Sequence, residues 1–215
     1  MTLPLPLRNR LADLVLDALH DGEARRGLEA LAAVCADPRA LDATAPPVAF
    51  PAELFESGPD GWRIKPGYQE HAGPFGERAT RAAHALAERP LAPANPPLET
   101  VLDQAAALFA AGLYFEVHEI LEPRWMRAEG VTRQALQGLI QAAVGYQHLA
   151  NGNLGGARAL LHDGAAKLLG QQLAGRDLDV FARAVAGHAR ELVAGDAEAA
   201  RRFDWSRVPR FPAEP

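Results

Sequence analysis

The chain has 215 residues, 48% of them hydrophobic and 23% charged, with a net charge of −5 at neutral pH. That is length and apolar content enough for a packed core, and too little basic excess for a protein that holds nucleic-acid phosphates. The single cysteine, Cys35, excludes an internal disulfide and any multi-cysteine metal site, and no apolar run reaches the roughly 18 residues of a membrane span. No signal-type apolar core follows Met1, so a cytoplasmic protein with no nucleic-acid or membrane partner is expected. Only Lys65 and Lys167 among the 22 basic residues are lysines; this matches GC-rich coding better than a nucleic-acid footprint.

In chain order, Leu11, Leu14, Val15, Ala18 and Leu19 recur at helical spacing and predict a helix over 7–20, ended by Asp21-Gly22. A second is predicted over 23–36 through Leu28, Leu31, Ala32 and Cys35, which makes the thiol a small core hydrophobe rather than a nucleophile. The prolines and glycines between 37 and 76 forbid a long helix. Within that stretch Gly58-Pro59-Asp60-Gly61 is a turn signal and Trp62-Arg63-Ile64 alternates, so a short hairpin is expected. His71 reads as a solvated loop residue, and a third helix is predicted over 77–88. Pro90, Pro93, Pro96 and Pro97 then mark a boundary between a helical, Pro/Gly-rich N-terminal extension (1–95) and a helical domain (98–193).

The domain itself is predicted to hold helices over 98–111, 114–127, 132–150, 154–173 and 178–193, with Gly112 ending the first and Thr132 capping the third. Residues 194–215, with Phe203, Trp205, Val208 and Phe211 among prolines, read as an extended strap. His84 and His188 lie on Ala-rich helices as surface or packed residues. A shift of 40 residues lays Ala110–Glu122 over Ala150–His162 and puts Gly112 on Gly152. Helix, glycine turn, helix, repeated in this way, predicts an all-α fold: a compact multi-helix bundle of stacked helical hairpins.

Chemistry concentrates in Tyr114-Phe115-Glu116-Val117-His118-Glu119-Ile120-Leu121-Glu122. At 100° per residue Tyr114, Val117, Leu121 and Trp125 share an apolar stripe, and His118 and Glu122 lie on its edge, pointing towards the core. Glu119 falls further out and Glu116 on the opposite side. The next helix puts Gln137, Gln141 and His148 within about 40° of one another on the wheel. Arg158 and His162 take the places of His118 and Glu122 in the second repeat. A cavity between helices, lined by these groups, would offer His118, Glu122 and His148 as ligands to a divalent metal, zinc or manganese. A metal-activated water would then attack an ester or amide, with Glu119 as general base. The other reading of the same residues is a structural one, in which His118 and Glu122 form an i, i+4 ion pair and the glutamines line a polar bundle core.

The run Leu108-Phe109-Ala110-Ala111-Gly112-Leu113-Tyr114 through Glu122, then Trp125, then Leu136-Gln137-Gly138-Leu139-Ile140-Gln141, then Gly152-Asn153-Leu154-Gly155-Gly156-Ala157, resembles domain-of-unknown-function family 309. These are small all-helical proteins of bacteria and archaea, and the resemblance covers about 98–169. It implies a compact helical bundle and a metal-dependent hydrolase, with the family's motif positions falling on His118, Glu119, Glu122, Trp125, Gln137, Gln141 and Asn153. Two functions follow as expectations. One is a hydrolase acting on a small molecule or peptide, with Tyr114, Trp125, Gln137, Gln141, Asn153 and Arg158 around the substrate. The alternative is a non-catalytic module whose hairpins bind a peptide or protein partner; it would show an exposed groove with aromatic anchors instead of convergent polar groups.

Overall fold

The computed structural model describes residues 2–42, 45–194 and 202–212, with side chains in the last helix described as far as Leu192. The parts of the expected strap at 195–201 and 213–215 fall outside the described residues. Among the described residues there are eight α-helices and two small two-stranded antiparallel sheets. None of these helices is long and apolar enough to cross a membrane. The chain divides into two compact units, Met1–Pro96 and Pro97–Pro215.

The first unit is built on α1 (Leu5–Asp17), α2 (Gly22–Ala36) and α3 (Ala72–Leu86). Asp21 caps α2 by accepting from the Glu23 N–H at 2.9 Å. Leu7, Leu11, Leu14, Val15, Leu28, Leu31, Phe75 and Leu86 are each 1% exposed or less and form the core between the three helices. The expected hairpin is present as β1 (Phe55–Gly58) and β2 (Gly61–Ile64), with Phe55 opposite Ile64. Its apolar side chains join Phe50 and Phe75 in an aromatic cluster with centroids 5.1–6.5 Å apart. α3 starts five residues before the expected Glu77. Pro74 sits in its first turn, where the missing N–H has no intrahelical partner to lose. His71 is not a solvated loop residue: it ends a 3-10 turn, Pro66–His71, that leads straight into α3, and only 15% of its side chain is exposed.

The second unit strings α4 (Leu98–Ala110), α5 (Tyr114–Arg127), α6 (Gly130–Ala150), α7 (Leu154–Leu168) and α8 (Asp179–Ala194). α4–α5 and α6–α7 are the two repeated hairpins. Each turns on a glycine in the left-handed region, Gly112 at φ 69° and Gly152 at φ 76°, a conformation that a Cβ disfavours. α6 is packed by α5 on one side and α7 on the other. The α6–α7 seam is closed by glycines: a Cβ on Gly138 would lie 2.7 Å from Leu168 Cγ, and one on Gly164 would lie 2.9 Å from the Gly138 carbonyl oxygen. Phe109, Tyr114, Tyr146, Phe181 and Phe211 make the aromatic centre of the core.

Two boundaries of this unit differ from the sequence reading by more than one residue. Thr132 does not cap α6, which begins at Gly130 with Glu129 in the capping position and no side-chain cap. α7 stops at Leu168 instead of 173. There the chain turns at Gly170 and forms β3 (Gln172–Leu173) and β4 (Arg176–Asp177). The described tail is fastened to the unit by a buried arginine. Arg176, 1% exposed, donates to the Pro212 carbonyl at 3.0 Å, to the Glu99 carbonyl at 3.1 Å and to Asp103 Oδ1 at 2.8 Å.

Candidate functional site

Tyr114, Val117 and Leu121 bury the apolar stripe of α5 as the wheel requires, and Glu116 is buried too, although it was expected on the far side. α5 is therefore covered on more than one face. His118, Glu119 and Glu122 line the edge that remains, with 27%, 33% and 39% of their side chains exposed. They are half-buried rather than turned into the core, because an edge position on an amphipathic helix lies where core meets solvent. Glu119, which the wheel set further out, is no more exposed than Glu122.

The three side chains converge. One donor atom from each lies within 4.8 Å of the others. His118 Nδ1 is 3.0 Å from Glu119 Oε1, and its Nε2 is 3.7 Å from Glu122 Oε1. The shorter contact is a hydrogen bond, and for a neutral imidazole it assigns the proton to Nδ1 and leaves the Nε2 lone pair free. That is the arrangement by which a carboxylate orients a metal-binding histidine. The longer contact is too long for a hydrogen bond. It suits two donors that hold one cation at about 2.0–2.2 Å each with an open angle between them. His118 Nε2 and Glu122 are N and O donors suited to zinc or manganese, with Glu119 behind the ring as the orienting carboxylate.

α6, which carries Gln137 and Gln141, packs against α5 across a two-residue link. Both glutamines are half-buried, and Gln141 Oε1 is buried with no hydrogen-bond partner. One turn past Glu122, the Trp125 indole Nε1 is likewise buried and unpartnered. The Arg133 guanidinium stacks on the Trp125 ring at 4.3 Å while donating to the Trp125 carbonyl at 2.8 Å, so one side chain caps α5 and fixes its last aromatic.

Other residues expected at the site lie elsewhere. His148 is outside the cluster: its Nδ1 is 2.9 Å from Asn153 Nδ2, and Asn153 Oδ1 accepts from the Gly156 N–H at 3.0 Å to cap α7. Both belong to the α6–α7 turn. Arg158 is exposed, and His162, also exposed, lies 3.2 Å from Asp163. Tyr114 is in the aromatic core, stacked 5.6 Å from Tyr146.

The sequence reading passed over a buried pair. His188, 4% exposed, has its Nδ1 2.9 Å from the Tyr146 hydroxyl, and Phe203 of the tail covers its ring edge-on at 5.1 Å. Burial lowers the His188 pKa and raises that of Tyr146, so both stay neutral. A histidine within Val185-Ala186-Gly187-His188-Ala189, at the spacing of the buried Phe181 and Val185, carried the signal.

Residues 102–160 match the family described as Domain of unknown function (DUF309). The match runs from α4 into α7 and takes in His118, Glu119, Glu122, Trp125, Gln137 and Gln141. No curated protein and no solved structure matches the chain.

Proposed function

We propose that the second unit is a divalent-metal site on a helical bundle, serving hydrolysis of a small ester or amide in a cytoplasmic setting. The observation that carries this reading is the convergence of His118, Glu119 and Glu122 on one edge of α5, with the His118 Nδ1–Glu119 contact directing Nε2 towards Glu122. A cation there supplies Lewis-acid polarisation and makes a water more acidic. The protein's own part is positioning. Glu119, a third of whose side chain is exposed, holds the His118 ring and keeps a second carboxylate oxygen to take a proton. Glu122 supplies negative charge at the free face of the ring. The unspent acceptor of Gln141 and the unspent donor of Trp125 would orient a substrate carrying both kinds of group, such as an amide or a carboxylic ester with a neighbouring hydroxyl.

The aromatic side chains support this over the interaction module. Phe109, Tyr114, Tyr146, Phe181 and Phe211 are buried in the core instead of standing along a groove as anchors. The test is metal analysis of protein purified without an affinity tag, followed by calorimetric titration with zinc and with manganese. One equivalent should bind to wild type, and binding should be lost in Glu122→Gln and His118→Ala. A wild type that binds neither ion overturns the reading.

A further inference from the structure

The first unit holds a cavity of about 870 Å³ where the end of α2, the β1–β2 hairpin and α3 meet. Its size is that of a small-molecule site. Val34, Phe55, Trp62, Ile64 and Phe75 supply a buried apolar wall. Trp62 sets the chemistry. The residue is 6% exposed, Phe50 holds its ring in an edge contact at 5.1 Å, and its indole Nε1 is buried with no hydrogen-bond partner. An indole nitrogen donates only, so the atom that completes it is an acceptor. A buried donor left unmet is costly, which gives an acceptor-bearing ligand an advantage over a purely apolar one. Of the charged side chains lining the cavity, Arg63 and Arg81 are cationic at every physiological pH and Glu77 alone is acidic, with Gln69 and Thr80 adding neutral donors. Arg63 is ion-paired with Asp60 at 2.9 Å and Glu77 offsets Arg81 in charge, so the lining is close to charge balance and the Trp62 N–H carries the preference for an acceptor.

We infer that this cavity binds a small organic acid, with an aromatic or branched aliphatic body against the Phe55–Trp62–Phe75 wall and a carboxylate accepting from Trp62 Nε1. The site lies wholly outside the segment matched to the family and does not depend on the metal reading. The chain's one thiol, Cys35, lines the same cavity, and burial pushes its pKa up to about 11. It is a slow, unique reporter of occupancy.

The experiment follows alkylation of Cys35 by iodoacetamide in the full chain, with three probes that share a phenyl ring and differ in head: phenylacetate, ethylbenzene and phenethylamine. Phenylacetate should slow labelling at the lowest concentration, ethylbenzene should need about tenfold more, and phenethylamine should be the weakest. Trp62→Phe keeps the aromatic body and removes the N–H. It should weaken protection by phenylacetate about tenfold and leave that by ethylbenzene unchanged. Labelling unaffected by all three probes overturns the site. Equal protection by phenethylamine and phenylacetate overturns the organic acid, as does a Trp62→Phe protein protected by phenylacetate as well as wild type. If Trp62→Phe does not fold, the head-group series on wild type decides alone.

Discussion

Replacing Gly164 by alanine should destabilise the protein, although alanine is the better helix former by about 1 kcal/mol. The new Cβ would lie 2.9 Å from the Gly138 carbonyl oxygen, 3.0 Å from the Ala142 nitrogen and 3.3 Å from Gln141 Cβ. All three are backbone or Cβ atoms of α6, so no rotamer change relieves the contact and the two helices must move apart. That disturbs packing around Leu161 and Leu168, which are fully buried. Overpacking of this kind costs about 1–3 kcal/mol. Set against the helix gain, the net loss should be about 1 kcal/mol, a fall in Tm of roughly 2–4 °C for a chain of this size. Gly187 is the control. It is also inside a helix, α8, but a Cβ there meets nothing within 4 Å. Gly187→Ala should therefore raise Tm, by an amount set by helix propensity alone. Thermal unfolding followed by far-UV circular dichroism, at matched pH and salt, reads both variants. A Gly164→Ala protein melting at or above wild type would refute the glycine seam as the closure of α6 on α7.

Arg133→Ala removes both the cap on the α5 carbonyls and the cation over Trp125. It should cost about 1–2 kcal/mol in urea unfolding and shift the Trp125 emission relative to a Trp125→Phe control. Arg176→Ala strips donors from the Pro212 and Glu99 carbonyls and opens a cavity in the core. A loss of about 2–4 kcal/mol is expected, with amide exchange rising first in the tail. His188 should make stability depend on acid. Burial is the largest cause of its lowered pKa, with Glu191 opposing and Arg207 adding to it. The unfolded chain, titrating near the ordinary 6.5, takes up a proton that the folded state resists. The contribution is thus complete above about pH 6.5 and is lost as the pH falls through the lower folded value. His188→Gln, which can still bond Tyr146, should flatten the Tm profile below pH 6.5.

Much of the second unit was legible because its signals are local and periodic. α5 spans the predicted 114–127, and Gly112 and Gly152 end the helices before them, since a 3.6-residue stripe and a residue free to adopt positive φ are written in the sequence itself. What failed had other causes. The β3–β4 hairpin turns on Ala174 at φ 50° and Gly175 at φ 76°, and an alanine in the left-handed region gives no Asn-Gly or Asp-Gly signal. His148 shares a wheel direction with Gln137 and Gln141, but a wheel discards height: it lies two turns, about 10 Å, beyond Gln141 along α6. Glu119, named as general base despite its outward angle, shows the opposite case. Its wheel angle sets it outward, yet a flexible carboxylate reaches its neighbour's Nδ1 and enters the cluster. The cavity beside Trp62 needs the hairpin, α2 and α3 together, and no local pattern foretells a meeting of segments so far apart in the chain.

Melting temperatures of wild type and of a His118→Leu, Glu122→Met double variant, each with zinc, manganese or a chelator, test the central claim most directly. A ligand that binds only the folded state stabilises it by about 2.7 kcal/mol at a free concentration a hundredfold above Kd. Wild type should therefore melt several degrees higher with metal than with chelator. The double variant should melt at the same temperature in all three, at or above wild type in chelator, because a half-buried imidazole and carboxylate have been exchanged for apolar side chains of similar size. A wild type indifferent to both metals, or a double variant that keeps the metal shift, would contradict a metal centre at His118, Glu119 and Glu122.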